Sequence, residues 1–222
     1  MRVTAKLGIL GGTFNPIHLA HLRVAEEVRE LCGLDRVLFI PAAMPPHKAL
    51  ADDIPFAHRC AMVRAAIADH PQFAVSDLEA RRPGKSYSVR TLELLREEYP
   101  DDEFYFIIGM DSYRSLEIWK DYPRLFDLAN LVVAARPGSA GDDPLRLLPV
   151  VIQDQFCYDD QGGRLLHRSG NRVIFLSETF LDISSTHIRK LVAAGRSLRY
   201  LVPAAVADYI DRHGLYRCRE RC

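Results

Sequence analysis

Six short apolar runs rich in β-branched residues, most of them separated by segments of helical spacing, constrain this chain more than any other feature. They fall at Leu7–Leu10, Val37–Ile40, Phe73–Val75, Phe104–Ile108, Leu131–Ala134 and Val173–Leu176. Strands alternating with helices make a parallel sheet with helical crossovers. Between the runs, residues 18–32 carry Leu19, Leu22, Ala25, Val28 and Cys32 at helical spacing. Residues 56–69 read as a second helix, and 88–98 (SVRTLELLREE) as a third that stops before Pro100. Pro203 suits a first helical turn and Gly214 a stop, which predicts a helix from Pro203 to His213. One α/β domain over 1–217 is expected, with 218–222 as a tail. Residues 137–171, bracketed by PGSAGDDP, DDQGG and HRSGN, break the rhythm and read as a long, partly ordered, mobile insertion.

Composition narrows the functional classes. Lys plus Arg and Asp plus Glu are 29 each in 222 residues, so no collective basic surface for nucleic acid is indicated and an anionic ligand must be held locally. No apolar run approaches the roughly 18 residues of a bilayer span, and the N-terminal apolar stretch is too short for a signal peptide. Five scattered cysteines, Cys32, Cys60, Cys157, Cys218 and Cys222, suit a reducing, cytoplasmic compartment better than a disulfide framework. The terminal CRERC with His213 could bind metal, but a frayed tail is the preferred reading.

The chemistry begins at GGTFNPIHLAHL, residues 11–22. A glycine pair after a buried strand lets the backbone approach a ligand, and the helix that follows offers N–H groups and a positive dipole end. His18 and His21, three residues apart in the first helical turn, face nearly the same side and can meet one anion. Neither G-x-G-x-x-G nor a Walker loop fits the corner. At Gly84-Lys85-Ser86 the Walker pattern also fails, because its first glycine would fall on Glu79. Without the glycines, the two histidines would read as capping or half-buried groups; zinc is disfavoured because no further ligand sits at metal spacing.

A second anion site is expected at ISSTHIR, residues 183–189. There Ser184, Ser185 and Thr186 can cap a helix and Arg189 lies on the same face, although a plain N-cap explains part of the pattern. At the carboxyl edge of the sheet fall His47 and Lys48 of PPHK, and Gly109 and Asp111 of FIIGMDS. Lys48 reads equally well as a solvated lysine, and Asp111 as either a ribose ligand or a helix cap. Trp119, the only tryptophan, is a core, interface or ring-stacking residue beside Lys120.

Taken in order, GGTFNPIHLAH, PPHK, SYSVRT, FIIGMDS, Trp119-Lys120 and ISSTHIR resemble the bacterial nicotinate mononucleotide adenylyltransferases of the nucleotidyltransferase superfamily. The resemblance runs from residue 7 to about 217, omitting most of 139–172. It implies a Rossmann-like, doubly wound parallel sheet with a small C-terminal helical part. It also implies transfer of an adenylyl group from ATP, carried with Mg²⁺, to nicotinate mononucleotide, with no protein metal site, nucleic acid or membrane partner; a homo-oligomer is compatible with it. By the matching motifs, His18, His21, Lys48 and Arg189 act on the phosphates. Gly11, Gly12, Thr13, Phe14, Gly109, Asp111, Ser184, Ser185 and Thr186 form the ATP path. Asn15, His47, Tyr87, Ser88, Trp119, Lys120 and Arg136 form the acceptor side, with Trp119 stacking on the nicotinate ring.

Two departures from the family pattern stand out. Ala20 replaces the usual glycine between the histidines, and Ser88 stands where threonine is common. The alternatives are a sister adenylyltransferase for nicotinamide mononucleotide or phosphopantetheine, and a non-catalytic nucleotide-binding regulator. TFNP in place of F-D-P, SYS and Trp119-Lys120 argue against pantetheine. The intact charged set argues against the regulator.

Overall fold

A computed structural model describes residues 4–45, 54–134, 143–159, 163–176, 179 and 181–217. The strands are β1 (Lys6–Gly12), β2 (Arg36–Pro41), β3 (Phe73–Val75), β4 (Glu103–Gly109), β5 (Asn130–Ala134), β6 (Phe156–Tyr158), β7 (Arg164–His167) and β8 (Arg172–Leu176). The helices are α1 (Leu19–Cys32), α2 (Phe56–Ala66), α3 (Ser88–Glu98), α4 (Met110–Arg114), α5 (Leu125–Leu128), α6 (Ser185–Ala193) and α7 (Ala204–Arg212). All six strands expected from the apolar runs are present. The helix expected over 56–69 ends at Ala66.

The strands form one eight-stranded sheet in the order β3-β2-β1-β4-β5-β8-β7-β6, parallel from β3 to β8. Chain order reverses between β1 and β4, and open α/β sheets bind ligands at such a point, outside the carboxyl ends of the strands. Side chains alternate across the sheet and supply two cores. Leu7, Ile9, Phe104, Phe106, Leu131 and Val133 meet α3 and α5 through Val89, Leu92, Leu95, Leu125 and Phe126. On the opposite face Leu10, Tyr105, Ile107 and Val132 share a core with residues of α1, α2, α6 and α7, among them Val28, Met62, Ile188 and Ile210. The C-terminal helical part is therefore a covering layer of the sheet.

Within 137–171 the structure describes residues 143–159 and 163–171, which make up an ordered part of that segment. Residues 164–167 form a strand that pairs antiparallel with β8, and residues 156–158 form a strand that pairs antiparallel with 164–167, so the two extend the sheet as a hairpin. Leu165 is fully buried, and Leu148 and Ile152 dock on the same core. The two strands are only three and four residues long, too short for a period-2 pattern to stand out, and the glycine-rich flanks read locally as loop. Tyr113 Oη donates to Pro144 O at 3.0 Å, which ties the start of the described part to α4.

Candidate active site

β1 ends in Gly11 and Gly12, the chain turns through Thr13–Ile17, and α1 starts at Leu19 with His18 in extended conformation as its N-cap. A Cβ at position 12 would lie 3.1 Å from the Phe14 ring and require that ring to give way by a few tenths of an ångström; at Gly11 a Cβ would meet nothing within 4 Å. Phe14 takes the left-handed conformation (φ 47°) and is buried against the edge of His21, 5.1 Å between centroids, and against Phe39. A floor of packed rings thus fixes the turn that carries the histidines.

His18 and His21 stack at 3.6 Å between centroids, and the His18 backbone N–H donates to His21 Nδ1 at 3.2 Å. Burial lowers the His18 pKa to about 4. His21 keeps some surface but is packed between His18 and Phe14; this enclosure, and secondarily the neighbouring His18, hold its pKa well below 6.5. The pair is therefore neutral at pH 7 in the free protein, in keeping with imidazoles that take up charge only when a phosphate stabilises it. His18 Nδ1 is buried and has no hydrogen-bond partner, a cost of about 1–3 kcal/mol that a ligand oxygen would relieve.

The turn's carbonyl oxygens are drawn into protein contacts. Gly12 O accepts from Ala42 N (2.8 Å), Thr13 O from Arg59 Nη1 (2.8 Å), Asn15 O from Arg189 Nη1 (2.9 Å) and Pro16 O from Ser185 Oγ (2.8 Å). Tyr216 Oη donates to Asn15 Oδ1 at 2.6 Å. The negative ends of these peptide groups are spoken for, which favours an anion on the other side of the turn. The same bonds fasten the second corner to the first, since Ser185 and Arg189 belong to the start of α6. There Ser184 Oγ caps the helix by accepting from His187 N at 3.2 Å, and Arg189 Nη2 lies 3.4 Å from Thr186 Oγ1. Ser185 is thus half-buried against the first corner, while Ser184 and Thr186 are both exposed at the helix start.

Two of the expected acceptor residues, Tyr87 and Lys120, are in contact. Tyr87 is the N-cap of α3 and Ser88 its first residue. Lys120 Nζ sits 4.9 Å above the Tyr87 ring, and partly exposed Trp119 packs edge-on to Phe106 of β4 at 6.3 Å. Gly109 caps α4, with Asp111 exposed in its first turn. These elements follow the carboxyl ends of β3 and β4, the edge that also carries the glycine corner. Ala20 is half-exposed in the first turn of α1. His47, Lys48 and Arg136, like Cys218 and Cys222 of the tail, lie outside the described residues.

Three contributors were not expected from the sequence. Arg59 and Tyr216 bind the corner directly. Glu79 accepts from Thr91 Oγ1 (2.6 Å) and from Ala43 N (3.3 Å), and Ser86 is joined to Met44 by two bonds, so the segment after β2 is tied to the segment before α3. The available signal for Arg59 was an arginine among Cys60, Met62 and Val63 on a buried helix. Among the described residues no three His, Cys, Asp or Glu side chains gather as a metal cage, and no helix is long and apolar enough to cross a membrane.

The cytidylyltransferase-like family matches residues 9–191. A protein of Syntrophotalea carbinolica described as a probable nicotinate-nucleotide adenylyltransferase is 78% identical over 97% of this chain and 99% of its own. A Geobacter sulfurreducens protein of the same description is 60% identical over 95% and 98%. Among solved structures, the Plasmodium falciparum nicotinic acid mononucleotide adenylyltransferase complexed with NaAD shares the fold with a TM-score of 0.72, at 20% identity, covering 96% of this chain and 97% of that one. By fold, by corner and by these relatives, the chain belongs to the cytidylyltransferase-like family, on the branch of the nicotinate-nucleotide adenylyltransferases.

Proposed function

We infer that this protein transfers the adenylyl group of ATP to nicotinate mononucleotide, giving deamido-NAD and pyrophosphate in NAD biosynthesis. A phosphate oxygen of the mononucleotide attacks the α-phosphorus of ATP, and the bond to the β-phosphate breaks. The carrying observation is the fusion of two anion-favouring helix starts: Ser185 and Arg189 of α6 are hydrogen-bonded to the turn that opens α1. Such chemistry needs mainly positioning and charge stabilisation, with no covalent intermediate on the protein.

In this reading Gly11, Gly12, Thr13 and Phe14 border the triphosphate path, and His18 and His21 donate to phosphate oxygens. Arg189 and Lys48 add positive charge, and Thr186 with the α6 backbone, Gly109 and Asp111 receives the nucleoside. Asn15 and His47 border the acceptor. Trp119 and Tyr87 offer faces to the nicotinate ring, Ser88 and the α3 start meet its carboxylate, and Lys120 and Arg136 add charge nearby. Family adenylyl transfer generally uses a divalent metal. In this reading Mg²⁺ arrives on ATP, where it would offset phosphate charge. A cytoplasmic setting suits such an enzyme, and self-association is compatible with it.

The test is an acceptor comparison. Purified protein with ATP and Mg²⁺ is expected to release pyrophosphate with nicotinate mononucleotide, and less with the amide mononucleotide. ATP binding with no productive acceptor would replace this reading by a regulator, and phosphopantetheine as best acceptor would move the chain to another branch of substrates.

A further inference from the structure

Arg59 of α2 is 0% exposed, the most thoroughly enclosed charged side chain among the described residues. Its Nη1 donates to Thr13 O at 2.8 Å, while Nε and Nη2 are buried and bond to nothing. Its guanidinium carbon lies 5.3 Å from the centre of the Phe56 ring. No described carboxylate comes within ion-pair distance, and the nearby Glu79 is committed to Thr91 and Ala43. Arginine stays charged even though burial lowers its pKa. An apolar side chain of similar volume would be the more stable occupant of such a place, so the charge calls for a use.

The location supplies one. Thr13 O is the carbonyl that follows the glycine pair, and Arg59 holds it from α2 as Arg189 holds Asn15 O from α6. We propose that Arg59 is a positioning residue of the triphosphate corner. It fixes the Thr13 carbonyl in the protein interior and leaves beneath Gly11–Thr13 a permanent positive charge whose counter-ion is the polyphosphate of the bound nucleotide. This deepens the reading of the site as an adenylyltransferase and rests on it. The charge acts through the turn without touching substrate, and in a poorly solvated place it reaches further than it would in water.

Arg59→Met, Arg59→Gln and Arg59→Lys decide the matter through thermal unfolding and calorimetric binding of ATP, AMP and inorganic tripolyphosphate. The Met and Gln variants are expected to bind ATP and tripolyphosphate on the order of tenfold more weakly and AMP less than about threefold more weakly, because the loss scales with ligand charge. The Lys variant should stay within about threefold of wild type for all three, and the Met variant should melt no lower than wild type. Unchanged ATP affinity in either neutral variant overturns the proposal. So does an AMP loss as large as the ATP loss, which would mean a deformed corner, or a Lys variant as weak as Met. A Met variant that fails to fold assigns Arg59 to stability and overturns it too, unless folded Arg59→Gln shows the charge-graded loss. If wild type binds tripolyphosphate but not ATP, the adenylyltransferase reading falls while the tripolyphosphate arm still decides on Arg59; binding of neither overturns both.

Discussion

His18 and His21, stacked and neutral in the free protein, cannot both take a proton without repelling at 3.6 Å. An arriving triphosphate reverses that balance by favouring the charged form. The sign follows from the pKa values: a group near 4 in the free protein and raised by ligand binds protons on complex formation. Calorimetry in buffers of different ionisation enthalpy should therefore show proton uptake with ATP between about pH 4 and 6.5, abolished in His18→Ala. If His18 donates to the developing phosphate charge as proposed, the same variant should lose on the order of 10²-fold in turnover with little change in acceptor affinity. An unchanged turnover number would remove His18 from its role. For protein stability the sign is opposite: a histidine with a lowered pKa costs stability as pH falls from 6.5 towards 4, by up to roughly 3 kcal/mol for His18.

Elements, rather than single residues, account for what sits beside the corner. The β6–β7 hairpin adds to the edge of the sheet at β8, and Leu165 fills the core that α3 and α5 cover. Leu165→Ala should cost about 3 kcal/mol in chemical denaturation; a change near zero would return 156–167 to the status of a surface insertion. The strands β1, β2, β4, β5 and β8 were legible in the sequence because each carries a largely buried apolar run, and the half-buried edge strand β3 because its three residues are all apolar. β6 and β7 were not, because their stability lies in pairing with β8 and its neighbours, which a window of a few residues does not contain. At α6 the cap was legible from Ser184, whereas the turning of Ser185 and Arg189 onto the first corner was not.

At the scale of the molecule, the ends of the chain close on each other over the site. Tyr216 reaches Asn15 across 201 positions, Leu19 N donates to Leu201 O, and Val206, Ile210 and Leu215 lie in the core beneath α1 and α2. A chain ending at residue 202 should therefore lose cooperative unfolding and ATP binding together. If it folded and bound ATP like the full chain, α7 and its tail would be a mere appendage. This coupling makes nucleotide a stabiliser of the whole fold, worth about 2.7 kcal/mol at a hundredfold excess over Kd. The sequence by itself determined the parallel α/β frame, the glycine corner, the order of motifs and the cap at ISSTHIR, because each is written in neighbouring residues. Only the tertiary structure decided that the histidines are neutral and stacked, that two guanidiniums and a tyrosine hold the turn, and that the glycine-rich segment carries two strands. Those outcomes depend on burial and on partners up to 201 residues apart, and neither burial nor distance is a property of a local stretch of chain.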